Sequence, residues 1–111
     1  MDKECIFCNI VNGKTDTSFL YKDDTLVVFK DINPHAPVHD LIVPFKHIRS
    51  INDVTAEEEK IVSHMLMTGR KLAKQEQVNE SGYKLLFNVE WGGGQRIFHL
   101  HMHLLGGWAK I

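Results

Sequence analysis

No apolar run in this sequence approaches the roughly 20 residues that a bilayer-spanning helix requires. The opening stretch MDKECIFCNIVNGK sets charges around a short apolar patch and lacks a long hydrophobic region or small-residue cleavage site, so it does not read as an export signal. A cytoplasmic setting is expected, where the two cysteines, Cys5 and Cys8, stay reduced as thiols or metal ligands. Charge of one sign is also missing. A net charge of -1 provides no footprint for a nucleic-acid polymer or an anionic membrane, so any phosphate-bearing partner must be held by a local site. Repeats, low-complexity tracts and linker-like shifts are absent, and residues 1–111 read as a single domain. Its core is modest, so burial across a subunit interface would help.

What is present is a short alternation of elements. Ile6, Phe7, Ile10 and Val11 recur at helical spacing over residues 4–12, with Gly13 as a stop. Phe19-Leu20-Tyr21 and residues 25–29 read as strands about a Lys22-Asp23-Asp24 turn, and Pro34 and Pro37 mark a loop. Residues 38–43 resume as a strand that ends at Pro44. A long helix is predicted over 56–77, capped by Thr55 with Glu58 completing a capping box; Gly69 inside it points to close packing. Residues 83–89 and 97–105 are the last strands, separated by a Gly92-Gly93-Gly94 loop. Short connections favour antiparallel pairing, hence an α+β fold.

Seven histidines stand out, three of them in Ile97-Phe-His-Leu-His-Met-His-Leu-Leu105. On a strand, strict alternation sends His99, His101 and His103 to one face and Phe98, Leu100, Met102 and Leu104 to the other, beneath the long helix. Imidazole serves as nucleophile or acid near neutrality. Three such rings could ligate a metal, carry phosphoryl-transfer chemistry or form a polar face. One small ion on all three would be strained, because alternate strand residues lie about 6.5–7 Å apart. The glycines before the strand let backbone amides approach an anion, a phosphate cradle at the mouth of the histidine segment.

These residues resemble the histidine-triad (HIT) family. The likeness is carried by Phe98-His-Leu-His-Met-His-Leu-Leu105, Gly93-Gly94-Gln95, Phe29-Lys-Asp31-Ile32-Asn-Pro34-His-Ala36-Pro37-Val-His39 and Ile42-Val-Pro44-Phe-Lys-His47-Ile48, and it runs from about residue 6 to 107. It is greatest to the nucleoside phosphoramidase branch. The resemblance implies an antiparallel sheet of about five strands with a short N-terminal and one long helix, paired as a homodimer. It also implies a purine nucleotide substrate attacked at its α-phosphorus by His101, giving a nucleotidyl-histidine that water cleaves. The His99 carbonyl would orient His101. His103 and His39 would bond the phosphate, and Gln95 with the amides near Gly94, Arg96 and Ile97 would stabilise its oxygens.

By the same likeness Asp31 would hold the ribose hydroxyls, and Ile6, Phe7, Ile10, Phe29, Ile32 and Leu41 would form the base slot, with Asn88 near the phosphate. Some HIT proteins with a Cys-x-x-Cys pair bind zinc. Here Cys5, Cys8, His47 and His99 would be the ligands of a structural zinc. Arg96 departs from the serine that several relatives carry, and the sequence ends at Ile111, short of the tails that shape the leaving-group side in relatives. The alternatives are hydrolysis of dinucleoside polyphosphates and a nucleotide-binding regulatory role with little turnover. His35 and His64 receive no assignment.

Overall fold

The computed structural model describes residues 5–109. Its elements are α1 (Ile6–Val11), β1 (Tyr21–Lys22), β2 (Leu26–Lys30), β3 (Val38–Pro44), α2 (Glu59–Gln75), β4 (Tyr83–Leu86) and β5 (Met102–Gly106). The strands form one antiparallel sheet in the order β1-β2-β3-β5-β4. This is the α+β architecture expected from the short connections, with one short and one long helix. Among the described residues no helix is long and apolar enough to cross a membrane.

The sheet separates two apolar clusters, because successive strand residues face opposite sides. On one side Val28, Ile42, Met102 and Leu104 pack against Met65, Leu72 and Ala73 of α2. On the other, Val27, Phe29, Leu41 and Val43 pack against Phe7, Ile10 and Val11 of α1. Gly69 lets α2 press onto the sheet: a Cβ there would come within 2.7 Å of Leu85 Cδ2 and 2.8 Å of Met102 Cε. A 3₁₀ turn, Ala56–Glu58, precedes α2, and Thr55 and Glu58 form the expected capping box. The helix ends two residues before its periodicity does, with Gln77 at a left-handed φ of 63°.

The last strand departs most from expectation. Residues 97–101 lie outside the sheet, and β5 begins only at Met102. In the register that pairs Ile42 with Met102, Leu100 would oppose Pro44, which has no N–H to continue the ladder. The Leu100 amide instead donates to the Ile48 carbonyl at 2.6 Å. With the neighbouring strand peeled away, β4 also stops at Leu86, short of the predicted residue 89.

Asp40 is a second departure from simple patterning. It sits in the middle strand, 1% exposed, and neither carboxylate oxygen has a hydrogen-bond partner. Burial, and then the facing Glu76 carboxyl, push its pKa up to about 8, while Lys30 across the ladder opposes the shift. A carboxyl more protonated when folded than unfolded makes stability fall as pH rises between about 4 and 8. Thermal unfolding should therefore show the wild-type Tm falling relative to that of Asp40→Asn as pH rises from 5 to 8, with Asp40→Asn the more stable protein at the alkaline end. A parallel decline in the two proteins would refute that origin.

Candidate active site and metal centre

A cavity of about 590 Å³ opens on the α1 side of the sheet, a size suited to a small-molecule ligand. Ile6, Phe7 and Ile10 of α1 line one side with Phe29 and Leu41, and Ile32 stands exposed at the mouth. Asp31 follows β2 and His39 lies on β3. His101 and His103 form the floor, and Asn88, Gly94, Arg96 and Ile97 close the opposite wall. Thr17, Lys30, Asn33, His35, Leu86 and Leu105 also line it, none of them singled out from the sequence. Strand alternation could have flagged Leu105, two residues after His103.

The three histidines all lie on the α1 side of the sheet, as alternation expects, but only two of them reach the cavity. His101 and His103 point into the cavity with ring centroids 5.1 Å apart, whereas His99 is fully buried and turned away. The cause is the peeled segment. His101 Nδ1–H donates to the His99 carbonyl at 2.7 Å, and His99 Nε2–H donates to the Pro44 carbonyl at 2.8 Å. The first bond leaves the His101 Nε2 lone pair unshared. Phe7 stacks edge-on against His101 at 5.0 Å. Burial lowers the His101 pKa, against the opposing pull of the His99 carbonyl and Asp31, so the ring is neutral near pH 7.

A second chain of bonds begins at the backbone. The His35 amide donates to His39 Nδ1 at 2.9 Å, which makes that nitrogen an acceptor and leaves the proton of the neutral ring on Nε2. His39 Nε2–H then faces His103 Nδ1 at 2.9 Å and Asp31 Oδ2 at 3.4 Å. His103 consequently carries its proton on Nε2. Asp31, His39 and His103 also place ligand atoms within 4.8 Å of one another. A metal there is disfavoured, since His39 would have to bind through Nε2 while Nδ1 accepts from His35, which needs an imidazolate. Asp31 Oδ1 meanwhile accepts the Asn33 amide at 2.8 Å, a local turn.

Residues 88–96 form the far wall, and here the sequence expectations need correction. Gly92-Gly93-Gly94 is not an open cradle: Trp91–Gly93 is a 3₁₀ turn, and the amides of Gly93, Gly94 and Gln95 bond to the carbonyls of Glu90 and Trp91. Gln95 does not face the cavity. It is buried, accepting from the Glu90 amide at 2.7 Å and donating to the Arg49 and Ile97 carbonyls. Glu90 was not foreseen at all. It holds φ 61° and ψ 175°, a conformation costly for any residue but glycine, by about 1–3 kcal/mol. Arg49 and Ser50 grip its carboxylate at 2.8–3.2 Å and offset that cost.

Behind the cavity, Cys5, Cys8, His47 and His99 place four ligand atoms within 4.8 Å of one another. Cys8 Sγ lies 3.0 Å from His47 Nδ1 and 3.4 Å from His99 Nδ1, and Cys5 Sγ lies 3.4 Å from the same His99 nitrogen. The cluster could hold a metal ion. Its surroundings suit one, because the Pro44 carbonyl takes the His99 Nε2 proton and thereby aims Nδ1 at the thiols.

Comparison with known proteins matches this geometry to a group. The family described as scavenger mRNA decapping enzyme, C-terminal binding, matches residues 4–110. A purine nucleoside phosphoramidase of Escherichia coli strain K12 is 43% identical over 107 residues, 96% of this chain and 90% of the relative. The chain belongs to the HIT family of hydrolases. A HIT family hydrolase from Legionella pneumophila Philadelphia 1 superposes with a TM-score of 0.92 at 43% identity, covering 96% of this chain and 95% of the other. A histidine triad protein from Clostridium difficile gives 0.92 at 40% identity, covering 97% and 94%. In this HIT enzyme, burial and the neighbouring rings His101 and His39 push the His103 pKa down to about 4, with Asp31 opposing. An NMR titration should show His103 neutral until pH falls near that value. Because the unfolded ring titrates near 6.5, its burial adds stability that is lost as pH drops from about 6.5 toward 4.

Proposed function

We propose that this chain hydrolyses purine nucleoside phosphoramidates, or related bonds at the α-phosphorus of a nucleoside monophosphate, through a nucleotidyl-His101 intermediate. The observation that carries the reading is the 2.7 Å bond from His101 Nδ1–H to the His99 carbonyl, which commits the opposite nitrogen to attack. Binding alone does not require that tautomer. The apolar slot of Phe7, Ile10, Phe29 and Leu41 suits a base, and Asp31 beside it suits the ribose hydroxyls. As the bond from His101 Nε2 to phosphorus forms, the phosphorus–nitrogen bond breaks and its electron pair leaves with the amine, which takes up one proton. Water then attacks phosphorus as the bond to His101 breaks and its electron pair returns to Nε2; the hydroxyl stays on the nucleotide and the remaining proton replaces the one the amine removed.

His103 Nε2–H, fixed by His39, is placed to donate to a phosphoryl oxygen. The amides of Arg96 and Ile97 bond to no backbone carbonyl among the described residues and so suit the same charge. Replacing His101 by Ala should cut hydrolysis of adenosine 5′-phosphoramidate by about 100-fold or more in a folded protein. A folded wild type that binds the nucleotide without turning it over would move dinucleoside polyphosphate hydrolysis, or a binding role, to the front.

We take the four-ligand cluster as a structural zinc site. Two thiolates and two imidazoles are a donor set that zinc accepts in tetrahedral array. Bound there, zinc would tie α1 and the segment after β3 to His99, the residue whose carbonyl orients His101. Purified protein should contain about one zinc per chain. Chelation or Cys8→Ser should release the metal and lower the Tm by several degrees. A Tm indifferent to both would exclude a structural metal.

We also carry forward a homodimer. It is supported by the outer edge of β4, which pairs with no strand among the described residues, and by Leu66 and Met67 exposed on α2. Light scattering at micromolar concentration tests it.

A further inference from the structure

The catalytic reading leaves one wall of the cavity unexplained. Sheet order places β2, with Phe29 and then Asp31, on one side of the histidines and β4, followed by Asn88 and the 90–96 loop, on the other. A nucleoside seated against Phe29 and Asp31 therefore sends its leaving group toward Gly94 and Arg96. Arg96 Nη1 donates to the Trp91 and Gln95 carbonyls at 3.3 and 3.1 Å, and the guanidinium lies over the Trp91 ring, 4.0 Å from its centroid. Those contacts use one of the three guanidinium nitrogens and preorganise the group. Nε–H and Nη2 remain as a fork suited to an oxyanion.

The electrostatic surroundings agree. Arg96 makes no ion pair among the described residues. Glu90, the one acid in its loop, is held by Arg49 and Ser50. Among the described residues Asp31 is the one acid lining the cavity, and it lies across the histidines.

Resting on the phosphoramidase reading, we propose that Arg96, splinted on Trp91, makes the leaving-group side of this cavity select leaving groups that carry a negative charge. Two sources share that chemistry, an amine bearing a carboxylate and the phosphate of a second nucleotide. Arg96 acts by binding the group that departs and takes no part in the bond exchange at phosphorus.

The test compares adenosine 5′-phosphoramidates of β-alanine, β-alaninamide and 1,2-diaminoethane, which end in carboxylate, neutral amide and ammonium, together with diadenosine triphosphate. Wild-type kcat/KM should favour the carboxylate over the ammonium substrate by about tenfold at low salt, and less at high salt. Arg96→Gln should bring that ratio to within about twofold, Arg96→Lys should retain part of it, and Trp91→Ala should lower it. Each ratio is internal to one protein, so a change in overall activity does not disturb the reading. A larger Arg96→Gln loss on diadenosine triphosphate than on the carboxylate substrate assigns the anion to phosphate, and the reverse assigns it to carboxylate. Equal wild-type rates on all three amidates, or a ratio unchanged in Arg96→Gln, would overturn this proposal alone. No turnover of any of the three amidates by folded wild type would overturn the phosphoramidase reading and this proposal with it.

Discussion

The hydrogen bond from His101 Nδ1–H to the His99 carbonyl depends on backbone that is not pleated, and much of the site depends on that bond. Had residues 97–101 continued as ladder, the His99 carbonyl would have been committed to a neighbouring strand or to solvent. Pro44 prevents this, because it supplies a carbonyl but no amide at the point where the ladder would run on. That carbonyl is not wasted, since it receives His99 Nε2–H. One proline thus frees the backbone that orients His101 and orients the ring that faces the two thiols. The cavity and the Cys5-Cys8-His47-His99 cluster share residue 99: its carbonyl serves one and its imidazole the other. Disturbance of either should be felt by both.

The histidine tautomers have their origin in main-chain groups. A carbonyl fixes His101, another fixes His99, and the His35 amide fixes His39 and through it His103. Backbone groups do not titrate, so the pattern of donors and acceptors persists over the range where neutral rings persist. Burial extends that range downward by lowering the pKa of His39, His101 and His103. Asp31 pulls the other way on all three, an opposition the cavity tolerates because desolvation is the larger effect at each ring. This also distinguishes the arrangement from a metal triad, which would require His39 to present a lone pair on both nitrogens.

Much of this was legible in the sequence, for reasons that can be named. Alternation placed Leu100, Met102 and Leu104 correctly in the core under α2, because apolar side chains are buried there whether or not the backbone is laddered. The same alternation put His99 on the α1 side with His101 and His103 but did not show its turn toward Cys5 and Cys8, which the Pro44 carbonyl, 55 positions away in the chain, helps to fix. Gln95 and the glycine amides were misplaced for a related reason. Their partners, Glu90, Trp91 and Arg49, are decided by how the loop closes, which local composition does not encode. Glu90 carries no signature of its positive φ, since a left-handed glutamate is tolerated only where Arg49 and Ser50 wait for it. Asp40 likewise looked like an ordinary strand residue until Glu76 was brought against it.

The two walls of the cavity differ in how they are held. On the α1 and β2 side, position follows from apolar burial shared among many side chains, and no single polar contact decides it. The 90–96 wall is held instead by a few directed bonds around a strained residue. Glu90 and Arg96 are close in the chain and opposite in charge, yet no ion pair joins them among the described residues. Arg49 and Ser50 bind the Glu90 carboxylate from outside the loop. The strain at Glu90 can thus be understood as the conformation that keeps its charge turned toward Arg49 while Arg96 stays at the cavity. A wall built in this way can change its charge through one exposed side chain, Arg96, without moving His101, His103 or the amides of 96 and 97.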